Sequence, residues 1–200
     1  MQSLLIKTSQ FESKPNTEYI NRFIKMRCAV DLLRLKMFPD AKEITESLGI
    51  VNACKNLPAD LDRTNRDVNM VVVADGRRPR TAALIACLTR WNCVSIDPIL
   101  VEEVWPIYRL KCYKKKVEDV KLHFDGPTII AIPHGHCKPS ECLKSITTND
   151  RLFVINMPCC VASDILHYEH ISYKDGRVWS PKNRIDFHDF SNGGKTCGSK

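Results

Sequence analysis

An α/β fold built on a mostly parallel central sheet is what this sequence predicts, and three observations predict it. Met70 to Ala74 is a short β-branched apolar run closed by Asp75-Gly76, which reads as a strand buried on both faces and then a sharp turn. Pro79 suits the first turn of a helix, where its missing N–H would be unpaired anyway, and Thr81 to Arg90 carries Leu84, Ile85 and Leu88 at helical spacing. A second apolar run, Cys93 to Ile96, ends in Asp97-Pro98. Strand, turn, helix and strand make a βαβ unit whose right-handed crossover sets the two strands parallel.

The elements before this unit are helical. Met1 to Lys14 shows no sustained period. Pro15-Asn16-Thr17-Glu18 is a helix start, with Asn16 or Thr17 placed to cap free N–H groups and Glu18 suited to the positive end of the dipole. Ile20, Phe23, Ile24, Val30, Leu33 and Met37 trace one helical face, interrupted by Arg27 and ended by Pro39. Asp40 caps a second helix through Lys42 to Leu48, which Gly49 ends or which continues toward Leu57. Pro58 to Asn69 is polar and reads as a surface connection.

After Asp97-Pro98, Ile99 to Tyr108 reads as a helix or broken helix limited by Pro106, and Tyr108 to Cys112 as a strand. Thr128 to Ile132 is an uninterrupted β-branched run and predicts another buried parallel strand. Lys138 to Ile146 is a short helix entered at Pro139, and Arg151 to Met157 is the next central strand, ended by Pro158-Cys159-Cys160. His170 to Tyr173 and Arg177 to Trp179 flank Asp175-Gly176, a signal for a tight hairpin.

The 200 residues suit one domain, expected over 1–190 with a helical N-terminal extension at 16–57 and a disordered tail at 191–200. The expectation is a chain that neither spans a membrane nor carries a secretory leader, since Met1 to Lys7 lacks a basic start and a long apolar core. The 10 cysteines fall in apparent strands and helices, which favours buried thiols in a reducing, cytoplasmic compartment over a disulfide framework. A net charge of +7 biases the chain toward acidic partners such as nucleic acid.

The Asp75-Gly76 turn and Asp97, about 20 residues later, resemble the class I S-adenosylmethionine-dependent methyltransferases, a Rossmann-like family whose first strand ends in an acid and a glycine turn and whose second ends in an acid. Arg77, Arg78 and Pro79 stand where that family places its further glycines. The resemblance implies a Rossmann-like sheet with an antiparallel C-terminal hairpin and two N-terminal helices, and S-adenosylmethionine as cofactor. Asp75, Gly76 and Asp97 would then be cofactor-binding, and Asp119 would lie near adenine. The expected chemistry is methyl transfer, with nucleic acid as a candidate acceptor. A domain of this fold that has lost its cofactor and serves as a nucleic-acid or protein-binding module is the alternative.

Ligands of open parallel sheets bind outside the carboxyl ends of the strands, so Asp75-Gly76, Asp97-Pro98, Pro133 to Cys137 and Pro158 to Cys160 are expected to converge on one cleft. His134 and His136 are the candidate catalytic residues, either able to act as a general base near neutral pH or simply to bond nearby backbone. Arg77, Arg78 and Cys159 are candidate substrate-binding residues, the arginines because a helix start favours an anion, against the alternative of a solvated loop. Asp75 is equally a turn former and Asp97 equally a helix cap.

His134, His136, Cys137, Cys142, Cys159 and Cys160 suggest a zinc-dependent enzyme as a weaker alternative. Against it, no Cys-x-x-Cys pair is present and adjacent Cys159 and Cys160 would seldom point at one ion, so no metal ligand is assigned. No arginine follows Cys137 at the spacing of a cysteine phosphatase loop. Lys111, Lys114, Lys115 and Lys116, interleaved with Tyr113, form either a phosphate-facing strip or a hydrated loop. Trp179 is expected to pack on the sheet.

Overall fold

Alternation along the central strands decides what packs where. In β1 (Asn69–Val73), Met70 and Val72 face one apolar core while Val71 and Val73 face another. A strand buried on both sides needs cover on both sides. A computed structural model describes residues 15–165 and 170–191, so the lead-in 1–14 and all of the expected tail except Ser191 lie outside the described residues.

On one face lie α1 (Glu18–Ile24), α2 (Ala29–Arg34), α3 (Ala41–Ala53) and α4 (Arg80–Leu88). The sequence reads the first two as one helix. The chain instead turns at 25–28, where Met26 N–H donates to the Phe23 carbonyl at 2.9 Å. That turn re-aims the apolar face, so Tyr19, Phe23, Ala29 and Leu32 are buried while Ile24, Val30 and Leu33 stay exposed. Asp40 caps α3 as expected, accepting from Glu43 N–H at 3.0 Å. The helix runs on through Gly49.

The remaining strands are β2 (Asn92–Ile96), β3 (Leu110–Tyr113), β4 (Leu122–Phe124), β5 (Thr128–Pro133), β6 (Ile146–Thr148), β7 (Leu152–Met157), β8 (His170–Lys174) and β9 (Arg184–Asp189), with α5 (Pro139–Ser145) between β5 and β6. Seven form one sheet in the order β3-β2-β1-β5-β7-β9-β8. All neighbours are parallel as far as β7, and β9 then inserts antiparallel between β7 and β8. The second face is covered more thinly, by α5, the Val117–Val120 segment and the parallel pair β4 and β6.

Two expectations are corrected. Ile99 to Tyr108 is not helical: Pro98 and Pro106 break it, and it is tied down as coil by Val101 N–H donating to the Arg77 carbonyl at 3.0 Å. The second hairpin strand is Arg184–Asp189 rather than Arg177 to Trp179. Asp175 is the reason. Its buried carboxylate accepts from Tyr19 Oη at 2.5 Å and from Arg177 Nε at 2.7 Å, which pulls the turn into the body of the protein and leaves 177–183 as a loop. Burial opposes the charge on Asp175, but the Arg177 and Tyr19 hydrogen bonds hold its carboxyl below the usual range. Trp179, expected to pack on the sheet, is instead tied to the N-terminal region, its N–H donating to Thr45 Oγ1 at 3.0 Å and its Nε1 to the Asn16 carbonyl at 2.7 Å.

His188 on β9 is fully buried and stacked on His170 at 4.8 Å between centroids. Burial first, then the neighbouring His170 and Arg184, lower its pKa from 6.5 to about 4. Below about pH 6.5 the unfolded chain therefore takes up a proton that the folded chain refuses until pH reaches about 4. Stability should fall as pH drops across this window, by up to about 3 kcal/mol from this group. Urea unfolding at stepped pH reads the slope, and His188→Phe should roughly halve it, since His134 is shifted in the same direction to about 4.

Candidate functional site

The strand order reverses between β1 and β5, and both strands leave the sheet there through left-handed residues. Ala74 has φ 60° and His134 has φ 53°, conformations that side-chain-bearing residues rarely adopt. The two exits also touch. A Cβ on Gly135 would lie 2.4 Å from Ile132 Cγ2 and 3.1 Å from Ala74 Cβ, so only glycine fits without displacing a buried neighbour. Gly135→Ala should cost about 1–3 kcal/mol in chemical unfolding, by overpacking this junction.

A cavity of about 400 Å³ opens beside the junction on the more thinly covered face. Val73, Ala74 and Ile96 form its floor, Asp97, Pro98 and Ile99 one wall, Lys116, Val117 and Glu118 another, and His136, Cys137 and Glu141 the third. A mostly apolar concavity with a few convergent polar groups has the size and chemistry of a small-molecule site. A smaller cavity of about 220 Å³ sits at the opposite end of the strands, between α3 and α4, and gathers none of the residues singled out above.

Asp97 is the polar anchor of the cavity. One carboxylate oxygen accepts from Gly76 N–H at 2.8 Å and the other from Ile99 N–H at 2.9 Å, fixing the turn after β1 to the turn after β2. Each oxygen has a second lone pair, so Asp97 can hold both turns and still accept from a ligand hydroxyl pair. Gly76, at φ 86°, is the turn residue that permits this approach.

Asp75 is placed differently from the expectation. It is fully buried, and its carboxylate accepts from Thr81 N–H at 2.9 Å, Ala82 N–H at 3.1 Å and Ser95 Oγ at 3.1 Å. Burial pushes its pKa up, while these donors and Arg80 oppose the rise. The N–H groups at the start of α4, expected to be open to an anion, are occupied by the protein's own carboxylate. Asp75 supports the site from behind and touches no ligand space.

The arginines do not enter the cavity. Arg77 is exposed; Arg78 donates to the Leu35 carbonyl at 3.1 Å and lies 5.3 Å from the Trp105 ring centroid. Asp119 is exposed and off the cavity wall, where its neighbour Glu118 stands instead. His134 and His136 part company at the Gly135 turn. His136 lines the cavity, whereas His134 turns toward α3 with Nε2 3.5 Å from Glu46 Oε1. Burial, then Lys42, Lys182 and Arg80, lower the His134 pKa to about 4, so the contact joins a neutral imidazole to a carboxyl.

Sequence reasoning missed the rest of that polar group. Lys42 Nζ lies 3.2 Å from Glu46 Oε1, and Arg80 pairs closely with Glu43 across the Gly76 turn. Burial raises both glutamates, against Lys42 and Arg80. The available signal was the spacing of Lys42, Glu43 and Glu46 in the first turns of α3, which reads as an ordinary charged helix start. Cys159, with Cys160, does lie beside His136: among the described residues these three bring their ligand atoms within 4.8 Å of one another, contrary to the expectation that adjacent cysteines diverge.

A parallel run β3-β2-β1-β5-β7, an antiparallel final strand tucked in before β8, and an acid-anchored cavity at the reversal of strand order together define the architecture. The fold is Rossmann-like, with the antiparallel final strand that the sequence resemblance implied. Solved structures with a similar fold include a mutant of MtNAS in complex with S-adenosylmethionine, at TM-score 0.49 and 15% identity over 88% of this chain and 71% of that one. MtNAS in complex with MTA and tNA is similar at TM-score 0.48 and 14% identity, over 88% of this chain and 69% of that one. No protein-family model and no curated protein matches the sequence. Relative to the features expected of a class I methyltransferase, this chain has Arg77, Arg78 and Pro79 in its first turn and coil in place of the predicted helix between β2 and β3.

Proposed function

We propose that the chain binds S-adenosylmethionine in the Asp97 cavity and transfers its methyl group to an acceptor presented at the β1–β5 junction. The observation that supports this is the cavity itself: an apolar slot at the switch point whose one fully anchored acid keeps two lone pairs for a ribose diol. In this reading Ile99 and Val117 flank the adenine and Glu118 accepts from its amino group. The sulfonium end then lies toward Ala74 and His136. The acceptor's lone pair forms the new bond to the methyl carbon as the carbon–sulfur pair returns to sulfur, and the proton lost by the acceptor goes to water or a nearby base. Such a step needs alignment more than a dedicated triad.

The exposed Lys111, Lys114, Lys115 and Lys116 and the overall positive charge favour a nucleic-acid acceptor, whose phosphates such a strip would hold. A specific observation favours the second reading, a binding module without cofactor: Arg80 lies over Gly76, with Nη1 2.9 Å from where a Cβ would stand, and is held there by Glu43. The two readings part on one experiment. Incubation with methyl-tritiated S-adenosylmethionine and pooled RNA or DNA should label the nucleic acid. Nucleic-acid binding without label and without cofactor binding would favour the module.

A further inference from the structure

We propose that His136, Cys159 and Cys160 form a binding site for a zinc-like divalent cation at the mouth of the cavity, with one coordination position left open. The placement follows from the sheet before any side chain is considered. β5 and β7 are adjacent and parallel with Pro133 opposite Met157, so the segments leaving them emerge side by side, and His134 N–H donating to the Met157 carbonyl at 3.1 Å carries the ladder beyond the strands. His136 lies three residues past Pro133, and Cys159 and Cys160 lie two and three past Met157.

The donor set is one imidazole nitrogen and two sulfurs, the combination borderline-soft zinc takes. The three ligand atoms lie within 4.8 Å of one another, against edges of about 3.5–3.8 Å in a tetrahedral site with a metal–sulfur bond of about 2.3 Å. Cys160 Sγ already meets His136 Nδ1 at 2.8 Å, so a cation would take the place of the proton between them and part the two atoms by less than an ångström. On binding, the two thiols each release a proton and the site gains a dication, leaving the three ligands and the ion neutral together.

The loop carrying the cysteines is fixed from two sides. Lys182 Nζ donates to the Cys159 carbonyl at 2.7 Å, and Asp164 accepts from Ser140 N–H at 3.1 Å and Ser140 Oγ at 2.5 Å, pinning the loop to the start of α5. Three protein ligands are what catalytic zinc sites use, the fourth position being kept for water or substrate. Because His136 also lines the cavity, that position lies beside the space assigned above to the cofactor. The metal site stands on its own geometry and does not depend on the cofactor reading.

Cobalt(II) tests it on the whole reduced chain, stripped of metal and handled without oxygen. One equivalent should bind, with a thiolate-to-cobalt charge-transfer band and the intense visible bands of a tetrahedral ion, and zinc should bleach both. Cys160→Ser and His136→Gln should each weaken binding at least tenfold while circular dichroism stays unchanged, since both side chains are exposed. Cys87→Ser, on the far end of α4, should bind as the parent does. Absence of the charge-transfer band, or a band indifferent to both Cys160→Ser and His136→Gln, would overturn the proposal. Loss of cobalt binding with intact cofactor binding would leave the methyltransferase reading untouched, and the reverse result would leave the metal site standing.

Discussion

Replacing Asp75 by alanine is expected to lower the stability of the chain by about 4 kcal/mol, the largest effect of any single polar substitution in the site. The carboxylate is buried and takes two N–H groups at the start of α4 and the hydroxyl of Ser95 from the next strand. Alanine would leave those donors buried without partners, each costing about 1–3 kcal/mol, and would uncap α4. Thr81, which also bonds Ser47 of α3 at 2.8 Å, would transmit the loss to a second helix. Asparagine keeps the shape and part of the acceptor capacity, so it should cost about half as much. Urea unfolding of the two variants reads both values. Equal stability of Asp75→Ala and the parent would mean that the carboxylate is not the cap.

Asp97→Ala should leave folding nearly intact and weaken S-adenosylmethionine binding by about 100-fold. Two hydrogen bonds from hydroxyls to a charged acceptor account for about 3 kcal/mol, or roughly that factor. The backbone bonds from Gly76 and Ile99 would also be lost, but both turns border the cavity, where water can replace the carboxylate oxygens. The contrast with Asp75 is the informative part. Two acids close adjacent strands in the same sheet, yet one should act on stability and the other on affinity, and unfolding and binding measured on both variants separate them.

The sequence carried the sheet well because its signal is local and strong. Met70 to Ala74, Thr128 to Ile132 and Arg151 to Met157 are apolar runs that only a doubly covered parallel strand accommodates, and each forms one. What it carried poorly were features set by tertiary contact. In the pattern of Tyr19 to Met37 only the interruption at Arg27 marks the turn at 25–28, and nothing there shows that the turn serves the burial of Phe23 against Phe38, ring centroids 5.3 Å apart. Asp175-Gly176 has the composition of a tight hairpin turn, but Tyr19 and Arg177, distant in chain or purpose, claim the carboxylate and move the second strand to Arg184.

The same limit applies at the site. Asp97 was legible as a strand-end acid, and the structure places it on the cavity wall, where it ties two turns together. Asp75 was equally visible, as ligand contact or turn former, but it caps α4, because its carboxylate points back under that helix and sequence does not set that direction. The approach of His136 to the Cys159-Cys160 segment was expected from converging strand ends, but that both adjacent cysteines reach one imidazole comes from the parallel register of β5 and β7, which spacing along the chain does not reveal.

Calorimetric titration of the full chain with S-adenosylmethionine and with S-adenosylhomocysteine tests the central claim most directly. The account predicts one saturable site for each, with thermal stabilisation of the protein, and its loss when Ile99→Arg places a charged side chain across the cavity wall. No heat and no stabilisation from either molecule, with the chain folded, would contradict it.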